Sequence, residues 1–214
     1  GEQQEDPAEA KNLALKKTTK ASKDFHNQNG ARAVDGKKKI KGEDRWMTED
    51  QPVQWLAVDL TKSESIKYFD LLWEDNDNYA TKFKVYVTDN AAAWENPASN
   101  DAWGTAVVDE SNNTKGENEI TLDTPAAGRY IKLEILGMSS SWGVSLMEFE
   151  AWNAVPPAPE KEPADYLNDI KISPVTAETQ KLQYQLPEAP EGYEIKYNGT
   201  DYEQVIDTDG TIYR

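Results

Sequence analysis

Period-two alternation of apolar and polar positions dominates the middle of the chain. QWLAVDL (54–60) puts Leu56, Val58 and Leu60 on one face, and KFKVYVTD (82–89) puts Phe83, Val85 and Val87 inward with Lys82, Lys84 and Tyr86 outward. RYIKLEILG (129–137) aligns Ile131, Leu133 and Ile135, and SIKYFDLLW (65–73) is apolar enough for a buried strand. Such patterns mark strands rather than helices, because side chains alternate faces along an extended backbone. Weaker alternation over 12–22, 105–110, 118–124 and 146–153 brings the expected total to eight strands, separated by Asn, Asp, Gly and Pro. No segment keeps a 3.6-residue apolar period over three turns, and 91–103 reads as a loop with room for one helical turn. The expected fold is all-β, a sandwich or jelly roll.

The ends of the chain break this pattern. Residues 1–11 are polar and unpatterned, and read as a disordered segment. AVPPAPEKEPA (154–164) reads as a semi-rigid linker, because proline holds the backbone extended. Residues 165–214 carry a second, strongly acidic β pattern with no closing strand, expected to be a small or truncated Ig-like module.

Composition narrows the function classes. The 214 residues carry a net charge of −16, which disfavours nucleic acid and anionic membranes by repulsion of phosphate. The charge is uneven, since residues 11–41 hold ten Lys or Arg, either a solvated face or a site for an acidic sugar. Cysteine is absent, which excludes disulfides and thiolate chemistry. No apolar run spans a membrane, and the N-terminus lacks a signal peptide's apolar region, so a secreted protein would be a processed fragment. The 7 Trp and 10 Tyr exceed what a small core needs and leave aromatics for surfaces; Trp46, Trp55 and Trp73 lie in or beside apolar strands and read as core.

One segment joins pattern to chemistry. SSSWGVSLMEFEAWN (139–153) sets a single indole, Trp142, in a serine-rich loop that feeds a strand bearing Glu148 and Glu150. A loop displaying an indole beside carboxylates suits a binding rim rather than a catalytic cleft. Seven strings in order, NLAL at the first strand, ARAVDG (31–36), RWMTE (45–49), QWLAVDL (54–60), LLWED with YATKFKVYVTD (71–89), RYIKLEIL (129–136) and WGVSLMEFEAW (142–152), resemble the discoidin, or coagulation-factor C-type, domain. In bacteria that family is best known as the family 32 carbohydrate-binding module. The resemblance covers residues 12–153 and implies an eight-stranded jelly roll.

It further implies a structural Ca2+, held by Asp35 of the Asp-Gly turn, Asp44, Glu148 of the last strand, and the carbonyls of Lys38 and Glu43. Calcium takes six to eight oxygens, many from irregular loops. The eight residues between Gly36 and Arg45 are longer than the family's usual spacing, and their lysines disfavour a cation unless they point outward. The resemblance also implies a sugar site on the loops at one end. The matching loops offer Phe25, His26, Asn27, Glu49, Glu74, Asp75, Asn76, Asn78, Tyr79 and Trp142. Trp142 is the first choice for stacking on a sugar's C–H face, and Tyr79 the second.

The function implied is a reversible glycan-binding module, monomeric and non-catalytic. It would be covalently linked to a secreted or cell-surface enzyme such as a glycoside hydrolase or glycan-targeting peptidase. Its ligand would be a glycan ending in galactose, GalNAc or GlcNAc. The alternative is an adhesion domain for a protein or lipid surface, with lipid disfavoured by the acidity. No nucleophile motif or HExxH accompanies the lone His26, and the carboxylate pairs Glu49–Asp50, Glu74–Asp75 and Glu148–Glu150 are not read as an acid/base site.

Overall fold

The computed structural model describes residues 9–25, 28–75 and 78–158. The chain divides into two compact units after Pro157, and the architecture below is that of the first. The expected Ig-like module at 165–214, most of the linker, and residues 1–8 of the N-terminal segment lie outside the described residues.

Among the described residues seven strands form: β1 (Thr18–Ala21), β2 (Trp46–Met47), β3 (Gln54–Trp73), β4 (Ala80–Thr88), β5 (Val108–Glu110), β6 (Glu117–Met138) and β7 (Ser145–Trp152). All neighbouring pairs are antiparallel, in the order β2-β7-β3-β6-β4-β5, with β1 pairing on β3. The fold is an all-β jelly-roll sandwich.

Eight strands were expected; two mergers remove two of them, and the short β2 adds one. The runs 54–60 and 65–73 are one strand, β3, and 118–124 and 129–137 are one strand, β6, paired along most of their lengths. The connecting TKSE (61–64) has no glycine or proline, so the chain bends instead of reversing, with Thr61 at φ +77°. Register shifts fall between Asp59 and Glu64 and between Ile66 and Tyr68. The inward phase changes at the second: Leu56, Val58, Leu60 and Ile66 share the core with Phe69, Leu71 and Trp73. A bulge inserts one unpaired residue, which moves the following side chains to the opposite face.

Other expectations are revised locally. Only Thr18–Ala21 of the segment 12–22 is a strand; Asn12 bridges to Trp152, and a turn follows. Trp46–Met47, expected in a loop, pairs with β7. Trp46 and Trp73 are fully buried as expected, whereas Trp55 is only partly so.

The excursion after β4 holds a short helix, α1 (Ala91–Glu95), whose first turn is capped by the Asn90 side chain accepting from the Ala92 N–H. It closes over the outer face of β4 and β6 and builds a second apolar cluster of Ala57, Tyr86, Ala93, Trp103 and Tyr130. Tyr86, expected outward, does leave the main core but is buried in this one. Lys132 is sealed beneath the excursion at 0% exposure. Its ammonium donates to the Pro97 carbonyl at 3.0 Å and to Asn100 Oδ1, and lies 4.9 and 5.0 Å from the Tyr86 and Trp103 ring centroids. Burial lowers the Lys132 pKa to about 8, against a raising effect of Glu134.

Candidate functional site

Two loops meet at one end of the sandwich because a glycine lets them touch. Gly143 sits at φ +91°, and a Cβ there would lie 2.7 Å from the Thr48 carbonyl oxygen and 2.9 Å from that of Glu49. Only glycine fits both the backbone conformation and the approach. The contact is sealed by Thr48 N–H donating to the Val144 carbonyl and Val144 N–H donating to Thr48 Oγ1, each at 3.0 Å. A third loop joins through the buried Trp46, whose indole N–H donates to the Lys23 carbonyl, and through Phe25 N–H donating to Met47 O.

These contacts frame an open cavity of about 340 Å³ lined by Phe25, Met47, Thr48, Glu49, Asp50, Ser141 and Trp142. Its volume lies at the small end of ligand sites. Trp142 is 78% exposed, and its indole ring has no partner among the described residues. Burying so large an apolar ring is worth about 1.5–3 kcal/mol, which this chain leaves unused. Phe25 is also exposed. Glu49 is paired at 2.9 Å with Lys23, both partly exposed, whereas the Asp50 carboxylate has no partner among the described residues.

Of the expected sugar contacts, the structure brings together Phe25, Glu49 and Trp142. It adds Met47, Thr48, Asp50 and Ser141. His26, Asn27 and Asn76 lie outside the described residues. The remaining four form no part of this cavity. Glu74, expected to face ligand, is buried: it pairs with Arg45 and accepts from the Gly42 N–H at 2.5 Å. Arg45 also donates from Nε to Gln28 Oε1 at 2.6 Å, so Glu74 braces the loops from behind. Tyr79, the second choice for a platform, is partly buried and packs against the main core. Asp75 accepts from Asn78 N–H at 2.9 Å, and the Asn78 carbonyl accepts from Ser145 N–H, so both shape their own turn. None of the ten basic residues of 11–41 lines the cavity; Lys20 donates to the Trp94 carbonyl and Arg32 to that of Glu43.

The expected metal residues surround Gly36. Glu148 is fully buried, and its Oε1 accepts from the Gly36 N–H at 2.8 Å. Its Oε2 is buried with no partner, and burial, helped by Glu150 and Asp35, pushes its pKa up to about 8. Asp35 accepts from Lys37 N–H, and Asp44 from Ile40 N–H. Among the described residues no three His, Cys, Asp or Glu side chains converge as a metal site, so a calcium shell here would draw mainly on carbonyls. The orphaned Glu148 oxygen fits a cation; the Glu43 carbonyl is already taken by Arg32. The Lys38 ammonium pairs with Glu150 and lies 3.9 Å from Asp70 on the outer face of β3 and β7, near enough to Glu148 to oppose the rise in its pKa. Glu148 and Glu150 share that face, opposite Leu72 and Asp70. Asp70 is pushed up to about 7 by burial and by Glu117 and Glu150.

A jelly roll with an exposed indole over a small, mainly apolar cavity at one end is the form of a glycan-binding domain. The F5/8 type C domain family matches residues 17–149, and the chain belongs to that family. Solved relatives include chitosan-binding module 1 of a chitosanase/glucanase from Paenibacillus sp. IK-5, 26% identical, with TM-score 0.54 over 66% of this chain and 98% of that one. The family 32 module of NanJ from C. perfringens, solved with galactose, is 16% identical with TM-score 0.53, covering 67% and 98%. That of EndoD from Streptococcus pneumoniae is 14% identical with TM-score 0.55, covering 67% and 100%. No curated protein matches the chain.

Proposed function

We propose that the first unit is a non-catalytic targeting module, which holds a secreted or surface multidomain enzyme, a glycoside hydrolase, against glycans ending in galactose, GalNAc or GlcNAc. The observation that carries this is the exposed Trp142 indole over a cavity whose rim bears Asp50, Glu49 and Ser141. An apolar ring face receives the C–H side of one sugar, and the carboxylates accept from its hydroxyls. One shallow contact of this kind binds weakly. Its value to a linked enzyme lies in raising effective concentration at the substrate surface. The chitosan-binding relative from Paenibacillus and the galactose complex of NanJ are consistent with that class of ligand.

A structural calcium beside Glu148 belongs to the same proposal. Bound there, the ion would neutralise the buried carboxylate and tie the Asp35–Asp44 loop to β7. The chain's own residues do the rest: Gly143 sets the distance between loops, Thr48 locks it, and Trp142 presents the ring. A glycan array probed with this chain tests the reading. Saturable binding to a terminal sugar is expected, and absence of binding to any glycan would sink it.

A further inference from the structure

Four lysines, Lys37, Lys38, Lys39 and Lys41, stand in the loop beside which calcium is proposed. Among the described residues, Lys38 is the one of the four that pairs with an acid. Its partners belong to a buried cluster. Glu148 lies opposite Leu72 and Glu150 opposite Asp70, so the pleat puts Asp70, Glu148 and Glu150 on one face of two neighbouring strands. They are 7%, 0% and 5% exposed, and Asp70 Oδ1 and Glu148 Oε2 have no partner among the described residues. We propose that Lys38 is a positioning residue, a tethered cation that neutralises this cluster and fastens the 36–44 loop to β3 and β7 whether or not calcium is bound. The calcium half of the proposal rests on the reading above.

The loop is clasped at two points in step. Gly36 N–H donates to Glu148 Oε1 at 2.8 Å, and two residues on, Lys38 pairs with Glu150, two residues beyond Glu148. The ammonium also lies 3.9 Å from Asp70 Oδ2. Past Lys38 the loop first bonds to itself, the Ile40 carbonyl accepting from Glu43 and Asp44 N–H. It then runs into β2, whose Met47 lines the cavity, so what holds the loop also holds that wall. An ion pair between two exposed groups contributes little. Here the lysine side chain is 39% exposed but the Glu150 side chain only 6%, so losing the amine strands carboxylates that water does not reach. Burial by itself would lower the Lys38 pKa, yet Glu150, Asp70 and Glu148 together raise it above its ordinary value. The ammonium therefore feels all three acids. A calcium ion at Glu148 would draw on the same negative charge, which makes the two cations antagonists.

The test is thermal melting of the wild type, Lys38→Met and Lys38→Arg, each in chelator and in calcium. Methionine keeps most of the stem and removes the charge, and arginine keeps the charge. In chelator, Lys38→Met should melt about 5 °C below the wild type, with Lys38→Arg close to the wild type. Calcium should raise the melting temperature of Lys38→Met more than that of the wild type, because the ion takes over the missing charge. Equal melting of Lys38→Met and the wild type in chelator overturns the tether, as does an arginine variant no better than methionine. Equal, non-zero calcium shifts in the wild type and Lys38→Met overturn the antagonism. No calcium shift in any variant sinks the calcium reading and the antagonism with it, while the gap in chelator still decides the tether.

Discussion

At the scale of single residues, Gly143 and Trp142 divide the labour. Trp142 supplies contact area, and Gly143 supplies its position. Gly143→Ala puts a methyl group 2.7 Å from the Thr48 carbonyl oxygen in a conformation L-residues avoid. A loss of about 1–3 kcal/mol in stability is expected, with glycan affinity falling too as the loops separate. Chemical denaturation and titration on the same sample check both; undiminished affinity would show that the loop contact does not set the ring. The indole was legible in the sequence as one aromatic among serines. Asp50 was not, because a carboxylate beside Glu49 in a loop carries no periodic signal. Glu74 misled for the opposite reason: it looks like a loop acid, and only the fold reveals Arg45 behind it.

At the scale of elements, the alternation of β3, β4, β6 and β7 was readable because each face meets either core or solvent. What the pattern hid was continuity. TKSE holds no glycine or proline and DTPAAG holds both, yet neither reverses the chain, and the bulged pairing across them is a tertiary outcome. The second cluster was hidden for a similar reason, since Tyr86 and Lys132 read as solvent-facing until the 89–106 excursion covers them. That covering gives a pH signature. The Lys132 pKa is lowered to about 8 in the fold, below its ordinary value of 10.5, so between those values the unfolded chain binds more protons. The Lys132 contribution to stability therefore rises with pH across this window and is at its lowest below pH 8. Comparing the wild type with Lys132→Met by thermal melting from about pH 7.5 to 10.5 should show this rise in the wild type alone. Parallel curves would contradict the burial of a charged amine.

At the scale of the whole molecule, the two ends of β7 serve different tasks. Its entrance carries the Trp142 loop, and its middle carries Glu148 against Gly36. A cation that satisfies Glu148 Oε2 binds only the folded chain, so it stabilises by mass action. At a hundredfold excess over its Kd the gain is about 2.7 kcal/mol. Calcium should raise the melting temperature and chelator reverse it, with magnesium weaker because it gives up its waters reluctantly. Identical melting with calcium and with chelator would remove the ion from the proposal. It would leave Glu148 as a buried carboxylate that stays protonated near neutral pH.

The central claim is that an exposed indole makes this domain a glycan binder. Titrating the strongest array ligand into the wild type and into Trp142→Ala tests it most directly. Weak, saturable binding by the wild type and its loss, by about tenfold or more, in a variant with an unchanged melting temperature is the predicted result. Equal affinity in the two proteins would contradict it.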